Sequence, residues 1–454
     1  MNTDKKQKLN KINFFLSKDL IPKDKSFQKL IDIQKNYKIY KKLICLPDLN
    51  FKIKNYVPSG IVIPTINEFS PKLLGANNDG MSILKINIDD KNLTKKNIKL
   101  IFHELKDKIS IYRRKKNIIT NKTAKEILKF GIKNIITKWG FSKKELRKFQ
   151  NNGCTKEFKN FNRIQKLFPS TRPKNLGSHI INVNLLDRAK KNIGVLDGSS
   201  HFVELYKTKK IINDNFASKL GIGKKNDYYF LIHAGSADIG IIIHAYLINL
   251  KKKKFSIKSK DGMDILDLLS ISSNYGFANR LFILKIIKDV LKKVFKNKKY
   301  KIEIFNDNNH DFLDFNLKEK IFIHRKGAVR LEEGGNKNFI EEWRYTGEPY
   351  FMPSYVGGDG YMLSNFRYNK SSLNCSSHGV GRMINKNDTL KKYQKISFRK
   401  SLDNKLMLFR YKVDKIKSQN PKSFKNVKSV INDLEKFKLA KPISVHKPIA
   451  SLKA

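Results

Sequence analysis

Cysteine is scarce in this chain of 454 residues, and the three cysteines that occur are far apart. They are Cys45, Cys154 and Cys375, and no two of them form a Cys-x-x-Cys motif. A disulfide scaffold and a zinc finger are therefore excluded, because each needs paired or clustered cysteines. The same scarcity favours a reducing compartment.

Long hydrophobic runs are also absent. The longest apolar runs, such as Ile239–Ile243, fall far short of the ~20 residues that a bilayer-spanning helix needs. The opening residues, MNTDKKQKLNKINFF, lack the hydrophobic region of a secretory signal. We therefore expect a soluble, cytoplasmic protein without a membrane partner.

Acidic residues are few relative to basic ones. The chain has 40 Asp and Glu against 94 Lys and Arg, which gives a formal net charge of +54. This balance argues against an acidic solvating protein or a carrier of basic ligands, and it fits a protein that meets polyphosphate, most often nucleic acid. Two origins of the charge stay open, namely AT-rich coding drift, which also favours Lys, Asn, Ile and Phe, and selected attraction to RNA. Either way the field attracts polyanions, more weakly at high salt.

The chain has enough apolar material for a sizeable core, since 40% of its residues are hydrophobic. A prior of ~150 residues per domain gives about two to four units. No stretch resembles a flexible linker, however, and no repeat of 20–50 residues is visible. The sequence therefore predicts one large α+β (mixed α/β) unit over residues 43–454, preceded by a basic lead-in over residues 1–42.

Within that unit, hydrophobic periodicity separates strands from helices. Short apolar runs between Pro, Gly and Asn clusters predict strands, and apolar residues at helical spacing predict helices. The predicted strand regions are 43–88, 194–230 and 300–385, and the predicted helices include Thr123–Ile136 and Asp264–Val294.

Four of the nine histidines stand beside loops of small or polar residues: His201, His233, His310 and His378. A histidine at a strand end before such a loop is a common position for a metal ligand, because the strand fixes the ring and the loop leaves space. For any one of them the alternative is a buried imidazole bonded to the backbone. Together they predict a shared site.

The metal preference depends on which carboxylate joins the imidazoles. Imidazole alone suits Zn, Mn, Fe, Co and Ni, and an added carboxylate moves the preference towards Mn or Mg. The candidates are Asp79, in GANNDGM, and Asp48, in LPDLN, although each also fits a simple turn. We interpret His103, His179 and His244 as structural.

Glycine-rich loops accompany the last of these histidines. Gly379 and Gly381 follow His378 directly, and another cluster occupies residues 357–360. Glycines allow backbone N–H groups to approach phosphate, although such clusters are more often turns and neither is a P-loop. A histidine between such loops, followed by Arg382, could attack phosphorus and hold the transferred group as a phosphoramidate, with nearby metals offsetting the charge.

Taken together, these segments resemble the RtcB-type RNA ligases, from about Leu43 to the C-terminus. Six motifs occur in the family's order, and the ending from Val445 to Lys453 and Ala454 is similar to its terminal apolar stretch with a lysine. The segments are 194–204 (GVLDGSSHFVE, like NHFxE), 233–236 (HAGS, like HSGS), 274–280 (NYGFANR, like NYAxANR), 310–311 (HD, like HN), 324–328 (HRKGA) and 378–382 (HGVGR, like HGAGR).

The resemblance implies roles for particular residues and a central metal and nucleotide site. His378 would be the nucleophile that takes GMP, and Asp79, His201, His233 and His310 would bind one or two Mn²⁺ ions. Glu204 and Lys453 would hold the guanine. The implied nucleotide-binding residues are Ser200, Phe202, Glu204, Pro353, Gly360, Gly379, Val380, Gly381 and Lys453, and the implied RNA-binding residues are Arg280, Arg325 and Arg382.

The sequence also departs from the family's pattern. In the segment matching DIGCGM, Ala76 replaces an Asp ligand and Asp79 replaces the metal-bridging Cys, a change that Mn²⁺ chemistry tolerates. Asn50 ends the PDxH segment, and Ala237 removes an expected contact to RNA phosphate. Ser200 replaces the NHFxE asparagine, and the serines of PGSMGTxSY fall at Tyr355 and Gly360. The chain is therefore a divergent member.

These observations favour a GTP- and Mn-dependent RNA ligase. It would join RNA ends carrying a 2′,3′-cyclic phosphate or 3′-phosphate to 5′-hydroxyl ends, in tRNA splicing or RNA repair. The alternatives are a non-catalytic RNA-binding paralogue and a metal-dependent cyclic phosphodiesterase that does not seal. We expect a monomer, and an archease-like activator is a further partner that the resemblance implies.

Overall fold

The computed structural model describes residues 11–22, 27–51, 56–75, 77–169, 184–197, 200–335, 340–366, 369–393, 402, 406–410 and 416–453. Its strands are β1 (Ile12–Phe14), β2 (Leu43–Asn50), β3 (Ser59–Ile66), β4 (Asp79–Ile88), β5 (Phe202–Ile211), β6 (Asp227–Ala234), β7 (Tyr300–Asn316), β8 (Ile321–Lys326), β9 (Ala328–Arg330), β10 (Pro349–Met352), β11 (Gly360–Ser364), β12 (Cys375–Ser377), β13 (Met407–Phe409) and β14 (Lys441–Lys453). Its α-helices are Phe27–Asn36, Lys95–Lys108, Asn121–Phe130, Phe161–Leu167, Leu185–Asn192, Asp214–Lys219, Ala237–Asn249, Lys260–Val294, Glu341–Thr346, Lys386–Lys392 and Val427–Lys436.

Twelve of these strands form one sheet in the order β1-β2-β3-β8-β7-β4-β6-β5-β14-β11-β10, with β13 paired to β14. Adjacent strands of this sheet are antiparallel, except for the parallel pairs β1–β2 and β13–β14. Strands β9 and β12 form a separate two-stranded sheet. Sheet and helices interleave along the chain without strict alternation. The predicted mixed α/β class is confirmed.

The centre of the sheet is buried on both faces, which explains the composition of its strands. Every residue of β6, DYYFLIHA, is buried, as expected for a strand covered by other layers. The long helix Lys260–Val294 contacts β4 and β6 with its apolar side chains. Its first turn is capped by the Ser259 side chain, which accepts a hydrogen bond from the Gly262 N–H at 3.1 Å.

A bulge between β4 and β7 positions the future site. Asp79 pairs with Asp311 but Gly80 pairs with Asn309, so His310 is the extra residue. A bulge breaks the strict alternation of side chains and redirects the extra residue. His310 can therefore lie beside His233 of β6, although β4 lies between β7 and β6 in the sheet.

The described part of the lead-in joins the same sheet, since Ile12–Phe14 runs parallel to β2. One predicted helix differs from the structure in its bounds. The predicted helix Thr123–Ile136 begins at Asn121 and ends at Phe130. Gly131 follows it with φ +59°, a positive value that glycine adopts without steric cost. None of the helices in the described ranges is both long and apolar enough to cross a membrane.

Candidate active site

A cavity of about 590 Å³ opens where β5 and β14 meet the loop after β12. Its walls bring together segments that are more than 300 residues apart in sequence, from Asp48 to Lys453. The predicted site residues that line it are Ser200, Phe202, His233, Pro353, His378, Gly379, Val380, Gly381, Arg382 and Lys453.

The four predicted histidines form a row of adjacent rings. Ring centroids are 4.8 Å apart for His201 and His233, 4.9 Å for His233 and His310, and 4.7 Å for His310 and His378. The first three are buried, and His378 is partly exposed to the cavity. The structure thus brings all four imidazoles into one site.

The two central imidazoles are neutral and face each other. Burial lowers the pKa of both His233 and His310 well below the usual value, and the neighbouring imidazoles act in the same direction. Their Nε2 atoms are 3.2 Å apart. His310 Nδ1 is buried and lacks a hydrogen-bond partner among the described residues. These rings therefore retain unused ligating capacity.

Asp79 lies beside His201 at the end of the row. His201 Nε2 is 3.5 Å from an Asp79 carboxylate oxygen, and Nδ1 is 2.6 Å from Asp197 Oδ1 and 2.7 Å from the Leu196 carbonyl oxygen. Burial opposes the charged ring, but the two carboxylates outweigh it and hold the pKa of His201 well above the usual value. Gly235 makes room here, because a Cβ at that position would overlap the Asp79 carboxylate.

The donor types fit a divalent cation, although the ligand set is not assembled around one position. Two nitrogens on one ion would lie about 3.0–3.4 Å apart for metal–nitrogen bonds of about 2.1 Å, which matches the 3.2 Å between His233 and His310. Within the described ranges, no three His, Cys, Asp or Glu side chains are grouped so that they could hold a metal ion. The donors form two pairs, His233 with His310 and His201 with Asp79. Ala76, where the carboxylate is missing, lies outside the described residues.

His378 is fixed through one ring nitrogen. Nδ1 is 2.7 Å from Asp48 Oδ2 and 2.8 Å from the Gly327 carbonyl oxygen. Because both partners accept hydrogen bonds, Nδ1 carries the proton and the lone pair of the neutral ring is at Nε2. This is the tautomer that a nucleophilic imidazole requires.

Glycines let the loop of residues 378–382, called here the nucleophile loop, approach the strand that carries Asp48. Gly381 has φ +70°, and a Cβ there would overlap the Asp48 carbonyl oxygen. Gly327 has φ +62° and its Cβ position lies 3.0 Å from the His378 ring. Gly379 shows no comparable restriction. Two of these glycines are thus required by packing against the dyad of His378 and Asp48.

Three cationic side chains line the cavity. Lys453 Nζ donates to the Ser200 carbonyl oxygen at 3.0 Å and lies over the Phe202 ring, and Lys386 Nζ is 3.3 Å from Ser200 Oγ. The Arg382 guanidinium lies 4.2 Å from the centre of the Phe424 ring, and burial lowers its pKa to about 10. The cavity therefore combines positive charge with aromatic faces, which suits a nucleotide.

Two predicted nucleotide contacts lie elsewhere. Glu204 is buried outside the cavity lining, where its carboxylate accepts hydrogen bonds from Tyr206 and from Ser451. Gly360 also lies outside the lining, packed against Phe351 and Tyr206. In this structure neither residue is placed to contact a molecule in the cavity.

Arg280 and Arg325 do not reach the surface, contrary to the expectation that they contact RNA. Both side chains are 0% exposed. Arg280 forms a two-pronged ion pair with Asp307, at 2.6 and 2.8 Å, and Arg325 Nε is 2.6 Å from Asp314. Burial of a guanidinium requires such pairing, so these positions are structural. Arg382 alone of the three lines the cavity.

Several residues at the site were missed or misjudged from sequence. Asp48 was considered as a metal ligand or a turn residue, but it is the partner of His378. Asp197 and Asp311 were not singled out, yet one contacts His201 and the other pairs with Asp79 across β4 and β7. The available signal was their position beside predicted ligands, within the LDGSSH and HD segments.

The histidines that we interpret as structural lie away from the cavity lining where they are described. His103 is exposed on the helix Lys95–Lys108, and burial lowers the pKa of His244 to about 4. His179 lies outside the described residues.

Comparison with known proteins identifies relatives of this chain. The family model described as tRNA-splicing ligase RtcB matches residues 29–454. A tRNA-splicing ligase RtcB of Nanoarchaeum equitans is 24% identical over 288 residues, which cover 59% of this chain and 60% of the relative. RNA-splicing ligase RtcB homolog 2 of Entamoeba dispar is 22% identical over 400 residues, covering 83% of this chain and 73% of the relative. The chain thus spans about 60% of the length of the archaeal relatives that it matches.

Proposed function

The chain belongs to the RtcB family, and on that premise we propose that it is an RNA ligase that uses GTP and Mn²⁺. The ligase would join a 2′,3′-cyclic phosphate or 3′-phosphate end to a 5′-hydroxyl end. The observation that carries this proposal is His378, held by Asp48 and Gly327 at the edge of a cationic cavity.

The first step is nucleophilic attack by His378. The Nε2 lone pair attacks the α-phosphorus of GTP, an N–P bond forms, and the bond to the bridging oxygen breaks so that pyrophosphate leaves. Asp48 and Gly327 keep the proton at Nδ1, and they stabilise the positive charge that develops on the ring. Arg382, Lys386 and Lys453 supply positive charge around the triphosphate.

Asp79, His201, His233 and His310 would hold the Mn²⁺. The ion supplies positive charge that offsets the charge built up at phosphorus. The neutral state of His233 and His310 supports this assignment, because an imidazole must be unprotonated to bind a metal. At His201, a bound cation would replace the proton that Asp79 and Asp197 now favour.

The RNA steps follow from the adduct. A 2′,3′-cyclic phosphate is first opened by water, which breaks the bond to the 2′-oxygen and gives a 3′-phosphate. An oxygen of that phosphate takes GMP from His378 as the N–P bond breaks, and the 5′-hydroxyl oxygen then attacks the 3′-phosphorus, loses its proton and displaces GMP. The net charge of +54 supplies sequence-independent attraction to the RNA backbone. Halves of tRNA and broken RNA are both suitable substrates, and an archease-like activator acting on a monomer fits the proposal.

The test is formation of a covalent adduct with GTP labelled at the α-phosphorus. Wild type should retain label after denaturation in the presence of Mn²⁺, and His378→Ala should retain none. The matched control is His446→Gln, which alters a buried imidazole that already has Ser444 and Thr208 as partners. Absence of label on wild type would remove the ligase proposal at its first step.

A second candidate is a non-catalytic RNA-binding protein. Two observations favour it, namely the donor pairs that form no group of three and the enclosed position of Glu204. It requires RNA binding without an adduct and with little bound Mn²⁺. Cleavage of a cyclic-phosphate RNA without GTP would instead identify the phosphodiesterase alternative.

A further inference from the structure

Lys425 is a buried lysine that lies directly behind the dyad of His378 and Asp48. Its side chain is 2% exposed, and Nζ donates to the Pro47 carbonyl oxygen at 2.7 Å. Pro47 is the residue before Asp48 on β2. An ammonium group is rarely buried without a reason, because desolvation is costly.

The backbone of Lys425 contacts the nucleophile loop as well. Its N–H donates to the Gly381 carbonyl oxygen at 3.2 Å, and the preceding residue, Phe424, pairs with Arg382 in an isolated bridge. One residue is therefore bonded to the loop that follows His378 and to the strand that carries Asp48. Its movement would change the relative position of the two.

The residue next to the carbonyl that Lys425 contacts, Asp48, has a carboxylate with too few partners. Asp48 is 1% exposed, and its Oδ1 has no hydrogen-bond partner in the part of the chain that the structure describes. Burial lowers the pKa of Lys425 to about 8, while Asp48 opposes that decrease. The other titratable groups around Lys425 are Cys45, Asp433 and Asp19.

Those other groups are less able to act as the partner of Lys425. Burial raises the pKa of Cys45 far above the usual range, so the thiol is uncharged. Asp433 already accepts a hydrogen bond from the Ser17 N–H at 2.6 Å.

We propose that Lys425 is a positioning residue that acts through Asp48, with its buried positive charge and backbone contacts holding the Asp48 carboxylate aligned on His378 Nδ1. This inference rests on the proposed function, because it concerns the nucleophile of the adduct step. The Asp48 carboxylate accepts the hydrogen bond from Nδ1–H, which leaves the lone pair of the ring at Nε2. Without the nearby cation, a buried carboxylate in this place is destabilised.

A double-mutant cycle tests the link. The proteins are wild type, Lys425→Met, Asp48→Asn and the double variant, and the measured quantity is the rate of adduct formation at saturating GTP and Mn²⁺. We expect Lys425→Met to slow the adduct by about tenfold or more in wild type and to have no further effect in Asp48→Asn. Lys425→Arg should restore most of the rate, because it retains the charge.

Two results would overturn the inference. One is a Lys425→Met rate within about twofold of wild type, and the other is an effect of equal size in both backgrounds, which a packing role alone would give. Lys85→Met is the matched control. Lys85 is also buried, bonded to the Gly221 carbonyl oxygen and 3.3 Å from Asp227, but it lies away from the cavity lining. Its loss should lower stability and leave the adduct rate unchanged.

Thermal unfolding of the same four proteins separates this inference from the proposed function. If Lys425 and Asp48 form a buried charge pair, the decrease in Tm of the double variant will be smaller than the sum of the two single decreases. That coupling does not depend on GTP. A wild type without adduct but with coupled Tm values would reject the ligase and keep the pair, and additive Tm values would reject the pair.

Discussion

Two groups of buried polar side chains meet at β7, where Asn309 contacts Arg280 of the long helix and the next residue, His310, belongs to the row of imidazoles. The two groups differ in how completely they are paired. Arg280 is surrounded by acceptors, namely Asp307, Asn309, the Ala234 carbonyl oxygen, and the side chain and carbonyl oxygen of Asn78. The two central imidazoles of the row have fewer hydrogen-bond partners. The Nε2 atoms of His233 and His310 face each other, and His310 Nδ1 has no partner among the described residues.

This difference in pairing distinguishes side chains that support the fold from side chains that bind a ligand. A buried guanidinium whose nitrogens all donate hydrogen bonds needs no ligand and fixes the strands around it. A buried polar group that lacks partners is costly, so its retention points to a ligand that supplies them. We therefore interpret the group around Arg280 as the support that holds β4, β6 and β7 in place, and the imidazoles as the part that binds.

The largest expected effect is on the support. Arg280→Met would leave the Asp307 carboxylate buried without its cation, and we expect the free energy of unfolding to fall by about 3–5 kcal/mol. Denaturant titration measures this change. Arg113→Met is the control, since it breaks an exposed ion pair with Asp187 and should cost about 1 kcal/mol or less. Equal stability of the two variants would remove the distinction between support and site.

Much of this arrangement could be predicted from sequence because it depends on local pattern. The apolar runs predicted the strand regions, and the short motifs predicted ten of the residues that line the cavity. The order of the motifs along the chain predicted that the four histidines belong to one site. These features depend on a few neighbouring residues, which a single sequence displays.

The remainder depends on contacts that sequence does not display. Asp48 and His378 are separated by 330 positions, so no spacing rule links them. Arg280 occurs in a motif, but its burial follows from Asp307 on another element. Glu204 was expected to contact the nucleotide, and its direction is set instead by Ser451 on the neighbouring strand β14. Pairing partners from distant segments decided each of these cases.

The next effect concerns the imidazoles themselves. His310→Ala removes one of two facing nitrogens, and we expect the affinity for Mn²⁺ to fall by about a hundredfold or more, while stability changes little. Electron paramagnetic resonance of free Mn²⁺ during titration measures binding without reference to activity. Prior treatment with a chelator ensures that all samples begin without metal.

A second histidine provides the matched comparison for that experiment. His446 is as buried as His310, but it lies 2.8 Å from Ser444 Oγ and has Thr208 on its other side. His446→Gln should therefore leave Mn²⁺ binding unchanged. Equal loss of Mn²⁺ from both variants, or none from His310→Ala, would contradict the interpretation that the unsatisfied ring is the ligand.

The smallest effect concerns the wall of the cavity, where two lysines of β14 allow a direct comparison. Lys453 lines the cavity and Lys447 is exposed on the same strand. Lys453→Met should weaken binding of a fluorescent GTP analogue by about tenfold, because a charged donor beside a phosphate contributes more than a neutral one. Measurement in the His378→Ala background prevents turnover.

Salt dependence then distinguishes a cavity cation from the general surface charge. The contribution of Lys453 should persist at high ionic strength, because a partly enclosed pair is screened less than an exposed one. Lys447→Met should change GTP binding only slightly, and only at low salt. If the two variants weakened GTP binding equally and only at low salt, Lys453 would act through the overall charge of the chain. That result would contradict specific contact between Lys453 and the triphosphate in the cavity.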